Sequence, residues 1–348
     1  MKKETLVRFP AEWEQQDAIA LAWPHEDTDW AYMLDEVSHC FYNIASNVIS
    51  MGERLLIVTP EPEEVARQLG DFASSPLVKI VEVETNDTWA RDTFALTTYS
   101  GGVTVINDYK FNGWGLKFAS NKDNLITSSL RNKTDLFKYD EYKNNLGFVL
   151  EGGSVESDGC GTILTTSNCL LSLNRNGHMS KSEIEERLKA DFGALQVLWV
   201  DYGDLEGDDT DSHIDTLARM CPNDTILYVG TSDKEDSHYE CLAKMKEQLK
   251  TFRTLSGKPY NLVELPLPKP IYDDEGNRLP ATYANFLIGN GFVLVPTYRQ
   301  EFDEEALRIV SQVFPNRKII GVDCVPLIQQ HGSLHCVTMQ FPENSINF

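Results

Sequence analysis

At 348 residues, with 41% hydrophobic and 24% charged residues, the chain has the composition of a globular protein large enough for one big domain or two ordinary ones. Its 53 acidic against 31 basic residues give a formal charge of −22, which argues against nucleic acid and anionic membranes as partners and favours small cations. Seven cysteines, at 40, 160, 169, 221, 241, 324 and 336, follow no disulfide framework, the N-terminal stretch has no signal core, and no apolar run nears the roughly 18 residues of a membrane span, so a cytoplasmic location is predicted.

In chain order, Ile19 to Trp23 predicts a buried strand closed by Pro24. Leu34, Val37, Cys40, Phe41, Ile44 and Val48 then recur at helical spacing up to Gly52, and Leu55 to Val58 predicts another strand. The same strand, helix, strand order returns three times. Thr162–Thr166 leads to a helix near 180–192, opened by the capping box Ser180 and Glu183, and on to Val197–Val200. Thr225–Val229 leads to a helix near 235–251 and on to Asn261–Leu265. Phe292–Val295 leads to a helix near 303–314 and on to Lys318–Val322. A fifth copy runs from Val103–Ile106 to Phe148–Leu150, with a poorly patterned helix within 121–141. Patterning alone leaves two descriptions open: five related α/β units, or one mixed sheet with ordinary crossover helices. No linker divides the chain, so residues 1–348 are expected to form a single domain.

The polar clusters fall after comparable strands. Thr85–Asp92 follows Leu77–Val83, Glu151-Gly152-Gly153-Ser154 follows Phe148–Leu150, Gly207–Asp215 follows Val197–Val200, and Gln330–Thr338 follows Lys318–Val322. Strands of similar orientation would carry all four to one end of the molecule, where α/β proteins assemble their sites. In the last cluster Cys336 follows a Gly332-Ser333 turn and the imidazoles of His331 and His335. A thiol on a fixed backbone can serve as a nucleophile. It can equally be a small buried hydrophobe, or join the two histidines as a metal ligand, although no second ligand pair of zinc spacing lies nearby. His213 and Asp215, two apart, would share a face if extended, giving a proton carrier beside a carboxylate; a solvated acidic loop is the plainer reading. Glu151 could orient an imidazole or merely border a glycine bend. Asp92 could grip a planar cation against the Trp89 ring, or pair with Arg91 while Trp89 fills the core.

Cys, His, Glu and two Asp form an odd set for a protease, because the carboxylates would repel a developing oxyanion. They suit a substrate whose reacting carbon is already positive, such as a guanidinium.

Residues 9–14 (FPAEWE), 86–93 (NDTWARDT), 111–115 (FNGWG), Glu151-Gly152-Gly153-Ser154, 207–215 (GDDTDSHID) and His335-Cys336 resemble, in order, the motifs of the agmatine deiminase family, which includes the Porphyromonas-type peptidylarginine deiminases. The likeness spans residues 9–342. It implies the five-bladed α/β propeller of guanidino-group-modifying enzymes, built from ββαβ units. It also implies roles: Cys336 as nucleophile, His213 as general acid/base, Glu151 as the histidine's partner, Asp92 and Asp215 as guanidinium clamps, and Trp89 in the substrate channel. The reaction implied is hydrolysis of agmatine to N-carbamoylputrescine and ammonia, with no metal and no cofactor. One departure is visible: Gln330-His331-Gly332 stands where such enzymes usually carry three glycines. The alternatives are another guanidine as substrate (arginine or peptidyl arginine), transfer of the amidino group to an amine, or a non-catalytic binder of cationic metabolites. Oligomeric state, including a homo-oligomer, is left open.

Overall fold

In the computed structural model, which describes residues 6–137 and 140–348, the strands form five separate sheets, two of four strands and three of three. Four of them repeat one plan, an antiparallel pair whose second strand pairs in parallel with a third. The triplets are Leu96–Ser100, Val103–Lys110 and Glu141–Val149; Val155–Ser157, Thr162–Thr166 and Gln196–Val200; Ala218–Cys221, Thr225–Gly230 and Asn261–Pro266; and Leu287–Gly289, Phe292–Thr297 and Lys318–Asp323. Each parallel step is made through a helix, as a crossover requires. In the fifth sheet Gln16–Ala22, Leu55–Thr59 and Val78–Glu82 run parallel, and the antiparallel partner of Gln16–Ala22 is Met339–Pro342, from the other end of the sequence. Of the two descriptions the pattern allowed, the structure therefore has five α/β units rather than one mixed sheet.

The crossover helices form for local reasons. Leu34–Ser50 buries Val37, Cys40, Phe41, Ile44, Ala45, Val48 and Ile49 along one stripe. Burying each large apolar side chain contributes about 1.5–3 kcal/mol. Lys181–Phe192 starts at a capping box: the Glu183 amide donates to Ser180 Oγ and the Ser180 amide donates to Glu183 Oε2. It stops at Gly193, which takes the left-handed conformation that favours glycine.

The unit that was hardest to read differs most from expectation. Its helix is only Ile126–Lys133, after a 3-10 turn at Asp123–Leu125, and its third strand starts at Glu141 rather than Phe148. That strand is an edge, so its first residues, Glu-Tyr-Lys-Asn-Asn, are mostly polar and carry little apolar signal.

The arrangement matters for function because each unit hands over to the next through an irregular segment. Those segments carry Asp92, Glu151 with Gly153, His213 with Asp215, Asn285, and Cys336. Among the described residues no helix is long and apolar enough to cross a membrane.

Candidate active site

The five handover segments meet. Asp92 lies on the short helix Ala90–Thr93, whose Arg91 amide donates to the carbonyl of Cys336. Arg91 does not pair with Asp92; its guanidinium turns away to Gln340 and to the His335 carbonyl. Asp92 instead accepts from Trp114 Nε1 and from the Gly153 amide, both at 2.9 Å. Gly153 is where the groups converge. A methyl on it would stand 2.6 Å from His213 Nδ1, 3.0 Å from Asp92 Oδ1 and 3.1 Å from Asp215 Oδ2. The twin glycines after Glu151 are thus a matter of room: only a residue without Cβ lets these three groups close on one point.

Cys336 is 5% exposed and lines a cavity of about 470 Å³ together with Trp89, Asp92 and Trp114. Its Sγ–H donates to Asn285 Oδ1 at 3.3 Å, and the same oxygen accepts from the amides of His335 and Cys336. Trp89 packs edge-on to Trp114 and lies so close to Gly332 that no Cβ fits there. This accounts for the odd loop before the cysteine. Of the positions 330 to 332, only the one under the indole has to be glycine for space. Gln330 and His331 are tolerated, His331 in a left-handed conformation with its Nδ1–H donated to the Gly207 carbonyl at 2.8 Å.

His213, 1% exposed, has its Nδ1 at 3.7 Å from Asp92 Oδ1, and among the described residues neither ring nitrogen has a hydrogen-bond partner. Burial opposes charge on this ring, but Asp92, then Cys169 and Glu151, outweigh it and hold its pKa well above the ordinary histidine value. Glu151 is completely buried. Both its oxygens accept from Arg175 Nε, at 2.9 and 3.0 Å, so it acts on His213 as a fixed nearby charge. Arg175 continues to Asp211 and to the Thr210 carbonyl, tying Glu151 to the loop that carries His213. The acidic run in that loop is largely structural: Asp208 accepts from the Thr210 and Ser212 amides, and Asp211 pairs with Lys117 and Arg175.

Burial pushes the Asp92 carboxyl up, reinforced by Asp215 and Glu151 and opposed by His213. Asp215 behaves differently. Burial is outweighed by His335, which donates Nδ1–H to Oδ2 at 2.7 Å, and the pKa falls below the usual carboxylate value. Its other oxygen, Oδ1, is buried without a partner. For Cys336, burial together with Asp215 and Asp92 drives the thiol pKa well above its ordinary value, so the resting group is a neutral thiol facing two carboxylates.

Beyond Asp92, the cavity is walled by Asp27, Asp29, Asp87, Asp123 and Asp209 against Lys117 and His331. Asp87 is pushed up to about 7 by burial and by repulsion from Asp29 and Asp123, and burial takes Asp123 to about 7 as well. Such a chamber attracts cations, and one with a second positive group at a distance from the first.

Two buried triads have the composition of metal sites, Glu151–Cys169–His213 and Glu12–Glu156–His335. In each, an arginine already supplies the cation: Arg175 on Glu151, and Arg219 on both Glu12 and Glu156.

Sequence reasoning named Cys336, His213, Glu151, Asp92, Asp215 and Trp89, and the structure brings all six into this region. It missed Asn285, Glu12 and Arg219. Asn285 had a usable signal, since the handover after the fourth unit falls near it, but no charged neighbour draws the eye there.

A model of the Porphyromonas-type peptidyl-arginine deiminase family matches residues 8–342. A protein of Lactococcus lactis subsp. lactis (strain IL1403), provisionally named an agmatine deiminase, is 32% identical over 98% of this chain and 97% of its own. The agmatine deiminase of Medicago truncatula is 30% identical, with 96% of each chain covered. Among solved structures, a Porphyromonas gingivalis protein provisionally named an arginine deiminase has a TM-score of 0.93 at 48% identity, over 98% of this chain and 100% of that one. A cysteine-to-serine variant of C. jejuni agmatine deiminase with substrate bound has a TM-score of 0.90 at 39% identity, over 98% of each chain. The converging segments and these likenesses agree, and the chain belongs to the Porphyromonas-type peptidyl-arginine deiminase family.

Proposed function

We propose that this protein hydrolyses the guanidino group of agmatine, giving N-carbamoylputrescine and ammonia through a covalent amidino-cysteine intermediate. The observation that carries the reading is the convergence of His213, Asp92 and Asp215 on the Gly153 position, with Asp92 and Cys336 lining one aspartate-walled cavity. Two carboxylates suit a planar cation, each accepting parallel N–H bonds. Asp215 has Oδ1 free for this. The resting thiol is held neutral by burial and by the same carboxylates that would hold the guanidinium. Substrate binding neutralises them, so the thiol loses its proton to solvent when there is something to attack.

The Cys336 sulfur then bonds to the central carbon, and the carbon–nitrogen π electrons move onto nitrogen. His213, held protonated by its acidic surroundings, gives its proton to the departing nitrogen, and ammonia leaves as the carbon–nitrogen bond breaks. Neutral His213 next takes a proton from water as the oxygen bonds to the carbon. The carbon–sulfur bond breaks as the carbon–oxygen double bond forms, the bond pair leaves with sulfur, the hydroxyl proton passes to that sulfur to restore the thiol, and the ureido product departs. Trp89 would flank the alkyl chain, and the outer aspartates favour a distal ammonium over the carboxylate of arginine. We read residues 1–348 as one catalytic domain, with the five sheets as blades about a pseudo-fivefold axis. The five handover segments that meet at the site support that reading.

The test is ammonia and ureido product release from agmatine and from arginine, assayed separately, by wild type and by Cys336→Ala. Turnover of agmatine is expected to exceed that of arginine and to vanish in the variant. Ammonia release retained by Cys336→Ala would overturn the assignment. Tight agmatine binding by wild type without any product would favour a binding protein.

A further inference from the structure

Next to the nucleophile, His335 sits between two carboxylates. Nδ1 is 2.7 Å from Asp215 Oδ2 and Nε2 is 2.8 Å from Glu12 Oε2, with all three residues buried. Ionised carboxylates only accept hydrogen bonds, so both ring nitrogens must donate. We propose that His335, donating from both ring nitrogens, serves as a positioning residue: it locks Asp215 with one oxygen held and the other free for the substrate guanidinium. The proposal rests on the reading of Asp215 as a clamp given above.

The surroundings support it. Glu12 has a full set of donors, the Ile288 amide on Oε1 and Arg219 with His335 on Oε2. Glu156 accepts from Arg219 Nε and from the Met220 amide. Arg219 NH1 donates to the carbonyls of Ala284 and Phe286. The neutral alternative, with Nε2 accepting from Arg219 NH2 at 3.0 Å, would leave Nε2 and Glu12 Oε2 facing each other at 2.8 Å with no proton between them. Charge counts agree: Arg219 and His335 carry two positive charges against Glu12, Glu156 and Asp215, and Arg91 stands close enough to Glu12 to act on it. Among the described residues this cluster leaves one buried acceptor without a partner, Asp215 Oδ1, and one donor, Arg91 NH2. An unpaired buried acceptor is costly, so its retention beside Cys336 marks it as kept for a ligand. Because residues 335 and 336 are consecutive and share Asn285 as acceptor, fixing the ring also fixes the backbone under the thiol.

Two substitutions separate positioning from bulk structure. An asparagine amide falls near Nδ1 and can still donate to Asp215, whereas a glutamine amide reaches toward Glu12 and leaves Asp215 loose. In a Cys336→Ala background, agmatine binding by calorimetry is expected to weaken about threefold with His335→Asn but about thirtyfold or more with His335→Gln, the scale of one charge-assisted hydrogen bond. With Cys336 intact, the loss should appear chiefly in KM for His335→Gln. Equal losses in both variants, tracking their thermal stability, would show a merely structural residue and overturn the proposal. Independently of any variant, 15N spectra of histidine-labelled wild type should show a proton on both His335 nitrogens; a neutral tautomer overturns it too. Wild-type ammonia release tests the activity separately, so an inactive protein with a doubly protonated His335 would sink the enzyme reading and not this one.

Discussion

Two buried clusters of charge lie side by side and are built in opposite ways. Around Arg219, Glu12, Glu156 and His335 the donors and acceptors are matched almost throughout. Around Gly153, both nitrogens of His213 and one oxygen of Asp215 have no partner among the described residues, and the Asp92 and Cys336 pKa values are driven upward. The first arrangement spends its charges on holding elements together; the second leaves them unspent. A buried polar group left unsatisfied costs about 1–3 kcal/mol, so the second cluster is a standing burden on stability that only a ligand relieves. The contrast supports the Gly153 cluster as the proposed reacting centre.

The comparison can be broken most severely at Asp92. Asp92→Asn removes a clamp charge while easing the burial of a carboxylate, and one of its two accepted hydrogen bonds is lost. Activity is expected to fall by about a thousandfold or more in kcat/KM, with folding stability changed by under about 2 kcal/mol. Steady-state kinetics and denaturant melts on the same preparation check both halves. A large stability loss with modest activity loss would place Asp92 in the wrong cluster. Arg219→Met should do the reverse of Asp92→Asn. Removing one member of a buried ion network leaves uncompensated charge and costs about 3–5 kcal/mol, which denaturant unfolding would report. If Arg219→Met is as stable as wild type, the matched cluster is not structural.

The mildest probe uses pH. Burial and the Asp215 and Asp92 carboxylates raise the Cys336 pKa, so the thiolate fraction at pH 8 lies below that of an ordinary cysteine and grows as pH rises. Alkylation of Cys336 by iodoacetamide, followed by peptide mass, should keep accelerating above the pH at which a free thiol levels off. Adding guanidinium ion at pH 8 should speed it about tenfold, by placing positive charge between the two carboxylates. A rate that saturates near the free-thiol pKa would mean that the carboxylates do not act on the sulfur.

How much of this was legible beforehand depended on how local the cause was. The capping box at Ser180 and Glu183 and the stripe in Leu34–Ser50 are short-range patterns, and both formed as read. The site residues could be named because reactive side chains stood beside glycines at strand ends. Glu12 was visible within a motif but had no role, since its partners His335 and Ile288 lie more than 270 positions away. Asn285 is neutral and was hidden by the irregular stretch before it. Glu151 was expected to support His213 directly; its binding to Arg175 depends on a four-residue helix, Leu173–Asn176, that no periodicity announces.

The strand Met339–Pro342 completes the sheet begun by Gln16–Ala22. Translation proceeds from the amino end, so on the ribosome the first sheet waits with an open edge until residues 339–342 have emerged. Cys336 lies just upstream of that closing strand and enters in the same late step. Completing the first sheet and delivering the sulfur to its carboxylates are one event in biosynthesis, and no chain that stops short of residue 336 carries the finished cluster.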